Sequence, residues 1–159
     1  MSFDATPYFA NIDEIECQSL LADWTWLLNG NVYSVFRATA MGDLILRDEF
    51  AAFHFLDMAD GKIAKLADSE ELLWELLADR NARKTLLFTF VVRGLREKGK
   101  NLGPGECYSP DHPLILGGEL DDDNLQPCDI RVHASMQGQI HEQVRNLPPG
   151  TKISDIKLR

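Results

Sequence analysis

Cysteine, histidine and long apolar runs are all scarce in this sequence, and each shortage removes a class of function. Cys17, Cys107 and Cys128 are odd in number and far apart, with no C-x-x-C and no Cys/His run at zinc-ligand spacing. Neither a disulfide framework nor a structural metal is expected from them. Reduced thiols suit a cytoplasmic protein. No apolar stretch reaches the ~18 residues of a membrane span. The longest, Leu86 to Val92, is interrupted by Thr89 and stopped by Arg93. The opening MSFDATPYFANIDEIE has no basic n-region and no apolar h-region, so no secretory leader is expected and the cytoplasm is the expected location. Positive charge is also short: 16 Lys and Arg against 25 Asp and Glu leave a net charge of −9. Direct nucleic-acid binding needs a cationic face, so it is not expected. A basic protein partner fits better, because complementary potentials speed encounter.

What is present is enough for one core. A chain of 159 residues with 45% hydrophobic content is the size of a single domain, here read as 1–159. Such a chain buries roughly 70% of its unfolded surface without staples.

Apolar periodicity places a first helix over Ile12–Leu28, capped by Asn11 or Asp13 and stopped by Asn29-Gly30. Val32–Thr39 and Asp43–Asp48 then read as strands around Met41-Gly42-Asp43. Ala52–Asp57 and Lys62–Leu66 form a second pair around Met58 to Gly61, with Asp60-Gly61 as a two-residue type I′ signal. A helix follows from Asp68 or Ser69 to Asp79, its first turn carrying Glu70 and Glu71. Asn81–Lys98 reads as another helix, because its length and basic tail outweigh the strand-like LLFTFVV run. Gly99–Gly118 is loop-like, with a short buried strand at Leu114–Leu116; Leu125–Val132 is ambiguous. Ser135–Asn146 is a helix, and Thr151–Arg159 an edge strand. The expected fold is α+β: two consecutive hairpins in an antiparallel sheet, plus short C-terminal strands, packed with about four helices.

Catalytic and metal patterns fail in turn. His133 and His141, eight residues apart on a helix, lie about 12 Å apart along the axis, too far to share an ion. His141-Glu142 opens an H-E-x-x-H motif that Arg145 ends. His54 reads as a half-buried strand residue and His112 as a turn residue. Cys107 with His112 or His133 would make a nucleophile pair only if the fold joins them. Gly103-Pro104-Gly105 and Gly117-Gly118 fit no phosphate loop, and Asp121-Asp122-Asp123-Asn124 lacks the alternation of a calcium loop. No catalytic, cofactor or metal residue is assigned, and the chain is read as a non-enzyme.

The segments LLADWTWLL, ATAMGDLILRD, FHFLDMADGKIAKLADSEELLWELLADR and GPGECYSPDHPLILGGELDDDNLQPCDIRVHASMQGQIHEQVRNLPPGTKI carry a resemblance. Its anchors are Gly42-Asp43-Leu44, Leu56-Asp57, Gly105-Glu106-Cys107-Tyr108, Leu116-Gly117-Gly118-Glu119 and Gly138-Gln139-Ile140-His141. Over roughly 18–153 the chain resembles a bacterial family of unknown function. That family is similar to the C-terminal domain of the immunity proteins accompanying type VI secretion DNase effectors. The resemblance implies an immunity protein that binds and occludes a cognate effector toxin, a nuclease with a basic surface. The alternative is a regulatory or scaffolding module with no toxin partner. The residues assigned to partner contact are Glu119, Asp121, Asp122 and Asp123, with Asp111 and Trp26 beside them. Self-association as a homodimer is left open.

Overall fold

A computed structural model describes residues 3–159. Its centre is a four-stranded antiparallel meander in the order β1 (Tyr33–Ala38), β2 (Leu44–Asp48), β3 (Phe53–Asp57) and β4 (Lys62–Ala67). All four strands were legible to within a residue or so, because each hairpin carries β-rich runs on both sides of a glycine turn. The type I′ expectation at Asp60-Gly61 is corrected. Met58 to Gly61 form a longer loop, in which Gly61 has positive φ (66°) and Asp60 does not.

The central strands are buried on both faces. Leu44, Leu46 and Leu56 point to one side, and Ile45, Phe53 and Phe55 to the other. The register Leu44↔Leu56 and Ile45↔Phe55 keeps each set together, since directly paired residues share a face. Two apolar layers result. Ile45, Phe53 and Phe55 pack against α2 (Glu70–Ala78), α3 (Arg80–Leu87) and α4 (Thr89–Glu97) through Leu73, Leu77, Leu87, Val92 and Leu95. The opposite face packs against a 3-10 helix at Cys17–Trp24, which runs into α1 (Thr25–Leu28), and against α5 (Ile130–Val144).

The first helical segment starts later than expected. Glu16, rather than Asn11 or Asp13, caps it, accepting from the backbone N–H of Gln18 and Ser19. Asn29 ends it in the left-handed conformation. Ser69 caps α2 as read, accepting from Leu72 N.

The single helix over Asn81–Lys98 is corrected to two. Phe88 adopts a left-handed φ of 50°, ending α3 and opening α4. Leu87, Val92 and Leu95 are all buried, so both helices turn their apolar sides to the same layer across the break.

The loop region holds two more corrections. Glu106–Pro110 is a strand, β5, paired antiparallel with β6 (Leu125–Asp129). Leu114–Leu116 is a 3-10 turn with Ile115 exposed, so no buried strand leaves a sheet at Gly117-Gly118. α5 begins at Ile130, five residues before the expected Ser135, because the Asp129 carboxylate caps it by accepting from Arg131 N. Thr151–Arg159 is not a strand. It lies along α5, where the Gln143 side chain donates to Lys157 O (2.8 Å) and accepts from Lys157 N (3.1 Å).

Among the described residues no helix is long and apolar enough to cross a membrane, no group of His, Cys, Asp and Glu could hold a metal ion, and all three cysteines are free.

Candidate partner-binding site

The acidic residues singled out in the sequence fall mostly on one loop. β5 and β6 close at the pair Pro110↔Leu125, so residues 111–124 leave and return through a pinned neck. Asn124 organises the interior of this loop. Its side chain donates to His112 O (2.9 Å) and Glu119 O (2.8 Å) and accepts from His112 N (2.8 Å). Its own N–H donates to the Asp121 carboxylate at 2.9 Å. Lys100 fixes the far side, its ammonium donating to the carbonyls of Asp122 and Leu125. Lys98 pairs with the Asp122 carboxylate at 2.7 Å. Hydrogen bonding to Asp122, and then the charges of Asp122, Asp123 and Asp121, raise the Lys98 ammonium above its ordinary range.

The carboxylates therefore divide. Asp122 is half-buried and neutralised by Lys98. Asp111, Glu119, Asp121 and Asp123 are exposed, and among the described residues none is in an ion pair. Beside them lies a groove of about 470 Å³ between the loop and the tail, where Ile115 and Leu116 face Ile153 and Ile156. Ile115, Leu120 and Ile153 are large apolar side chains left exposed here. Exposed apolar side chains on the same loop as unpaired negative charge make a physically sensible protein-binding surface, because apolar contact supplies affinity and the charge steers approach.

Trp26 is not part of this loop. Its ring stacks on Trp24 (centroids 5.8 Å apart), and the Arg145 guanidinium lies over it at 5.2 Å. Its indole N–H donates to Asp23 O and Gly138 O. It is half-buried in the contact with α5, while Trp24 is fully buried and donates to Ala134 O.

The Cys107–His112 pairing comes apart in the fold, whereas Cys107 Sγ and His133 Nε2 both border the Gly42 turn, 3.0 and 2.4 Å from where a Cβ on Gly42 would stand. Cys107 is fully buried, and burial pushes its thiol well above the ordinary range. His112 is exposed on the loop, its ring bonded to Leu116 O. His54 is half-buried as read and paired with Asp48 at 2.8 Å.

One pairing escaped the sequence reading. His133 Nδ1 lies 2.7 Å from Ser109 Oγ, the separation of a base and its hydroxyl nucleophile. Both side chains are buried, at 3% and 4% exposure, and burial lowers His133 from 6.5 to about 4. The imidazole is thus neutral and a weak base, walled off from solvent. Among the described residues His133 Nε2 has no hydrogen-bond partner.

The family comparison coincides with this region. Residues 67–141 match the family model described as "T6SS immunity protein Tdi1, C-terminal". T6SS denotes the type VI secretion system. The match runs from the end of β4 into α5 and takes in the whole acidic loop. The anchors around Gly105, Leu116 and Gly138 fall within it; those at Gly42 and Leu56 lie outside. No curated protein matches the chain. Among solved structures, that titled "Crystal structure of Atu4351 from Agrobacterium tumefaciens" is similar, with a TM-score of 0.55 at 15% identity. The likeness covers 77% of this chain and 64% of that one, and at this identity it speaks for a related fold alone.

Proposed function

We propose that this chain is an immunity protein that binds a cognate type VI secretion effector and occludes it, the effector being a nuclease with a basic substrate cleft. The reading rests on the immunity-family match over residues 67–141 and on the position of the acidic loop inside it. The observation that carries the mechanism is the loop's rigidity. Asn124, Lys98 and Lys100 fix the backbone, so its free carboxylates meet a cationic surface with little ordering entropy still to lose. The exposed Ile115, Leu120 and Ile153 supply apolar anchors beside them. Blocking a cleft in this way needs shape and potential rather than bond-breaking chemistry, which agrees with a non-enzymatic role.

The test is co-purification with proteins encoded beside the gene, followed by association rates across a salt series with any effector recovered. Glu119→Lys with Asp121→Lys and Asp123→Lys is expected to slow association and flatten its salt dependence. Binding that ignores both salt and these changes rules out the electrostatic mechanism.

A further inference from the structure

We propose that the outer face of α3 and α4 is a second binding surface, built to take a short acidic segment of a partner protein. Charge is segregated along the chain far beyond its average. Residues 80–100 hold seven of the sixteen Lys and Arg and only one acid, Glu97, so this segment is +6 while the rest of the chain is −15.

The fold turns part of that segment into a surface. The break at Phe88 sets α4 against α3 and leaves an open groove of about 540 Å³ lined by Arg80, Arg83, Lys84, Phe90 and Arg93, with Phe3 at its edge. Arg80 and Lys84 stand one helical turn apart on the same side of α3. Arg83 is held in place, donating to the carbonyls of Leu77 and Ala78 and lying over the Phe3 ring at 3.9 Å. Among the described residues none of the four cations is in an ion pair. Phe90 projects beside them at 77% exposure.

Arg83 stabilises the end of α2, but stability does not explain the rest of the grouping. Like charges four residues apart on a helix are mildly destabilising, and an exposed phenyl ring stabilises nothing while it faces water. Aromatic side chains and Arg are, however, enriched at protein-binding interfaces, and here Phe90 stands beside an Arg83 already held in place. A nucleic acid is the poorer occupant. A long polyanion would run past the groove into the −15 remainder of the molecule, whereas a short acidic peptide with an apolar side chain for Phe90 would not.

The test uses the full chain and a labelled synthetic peptide rich in Glu and Leu, read by fluorescence anisotropy at low salt. Binding is expected for the wild type, weakened by roughly tenfold or more in Arg80→Glu with Lys84→Glu and again in Phe90→Ser. The charge-neutral pair Arg80→Gln with Lys84→Gln, expected to fall between, serves if the reversed variant loses its circular dichroism spectrum. Several results would overturn the proposal. They are no peptide binding by the wild type, equal binding by all variants, tighter binding of an oligothymidylate than of the peptide, or sedimentation showing the face already occupied by a second copy.

Discussion

Gly42 lies directly beneath His133: a Cβ added to Gly42 would stand 2.4 Å from His133 Nε2 and 3.0 Å from Cys107 Sγ. The same arrangement recurs eight residues along α5, where a Cβ on Gly61 would stand 2.5 Å from His141 Nδ1. The two histidines that looked like a spaced ligand pair are thus spacers, each seating α5 on the glycine turn of one hairpin.

Gly42→Ala should therefore be costly for two separable reasons. Its φ of 87° strains an alanine by about 1 kcal/mol, and the clash with His133 adds about 1–3 kcal/mol of overpacking. Urea denaturation should show a loss of about 2–4 kcal/mol. His133→Ala removes the clashing ring, so the double variant should be less destabilised than the sum of the two singles. Simple additivity would mean that the ring yields freely.

His133 also sets a pH dependence. Burial lowers its pKa from 6.5 to about 4, so between those values the unfolded chain binds the extra proton. Stability from this group is complete above pH ~6.5, declines as pH falls, and is exhausted below pH ~4, a total of about 3 kcal/mol. His141, also lowered by burial, acts in the same sense. Asp43 opposes them: burial and then the charge of Asp57 raise its carboxyl, which favours the folded state at low pH and loses that contribution as pH rises. Subtracting the curve of His133→Gln from that of the wild type isolates the histidine. Parallel curves between pH 4 and 6.5 would contradict the assignment.

The meander was legible because its signals are local. Each strand alternates or runs apolar, and the β1–β2 and β3–β4 turns each carry a glycine. What escaped were features fixed by distant partners. The left-handed Phe88 between α3 and α4 has no local sequence signal, and β5 exists because Cys107 and Tyr108 find Cys128 and Pro127 across the chain. The acidic loop was visible as composition. Its division into paired Asp122 and free Asp111, Glu119, Asp121 and Asp123 was not, since Lys98 reaches it from the C-terminal end of α4. The basic face of α3 was open to a simple count of charge by segment.

Asn124→Ala tests the loop's internal frame. The side chain makes three hydrogen bonds inside residues 111–124 and none to the core. Its loss should cost global stability no more than about 1–2 kcal/mol, because part of the loop rehydrates. Amide exchange should instead rise sharply and locally, at His112 above all. Uniform protection after the change would show that the neck at Pro110↔Leu125 and Lys100 hold the loop without it.

Gln143→Ala combined with Gln139→Ala and Arg159→Ala separates the groove from the charges of the loop. Gln143 clamps the tail along α5 by bonding both the N–H and the carbonyl of Lys157, and Arg159 adds bonds from its N–H to Gln139 and from its guanidinium to Asp23. The tail carries Ile153 and Ile156, which form one wall of the apolar groove, while the loop supplies Ile115 and Leu116. Freeing the tail leaves the acidic side chains of residues 111–123 in place but removes that wall, together with Asp155. Association rates with the effector, set by the charges, should stay within about twofold, while dissociation should quicken by roughly tenfold as an apolar anchor is lost. Limited proteolysis should cut the variant between Pro149 and Lys157 under conditions that spare the wild type. If the tail becomes cleavable and dissociation is unchanged, the groove plays no part in the complex and the acidic loop acts alone.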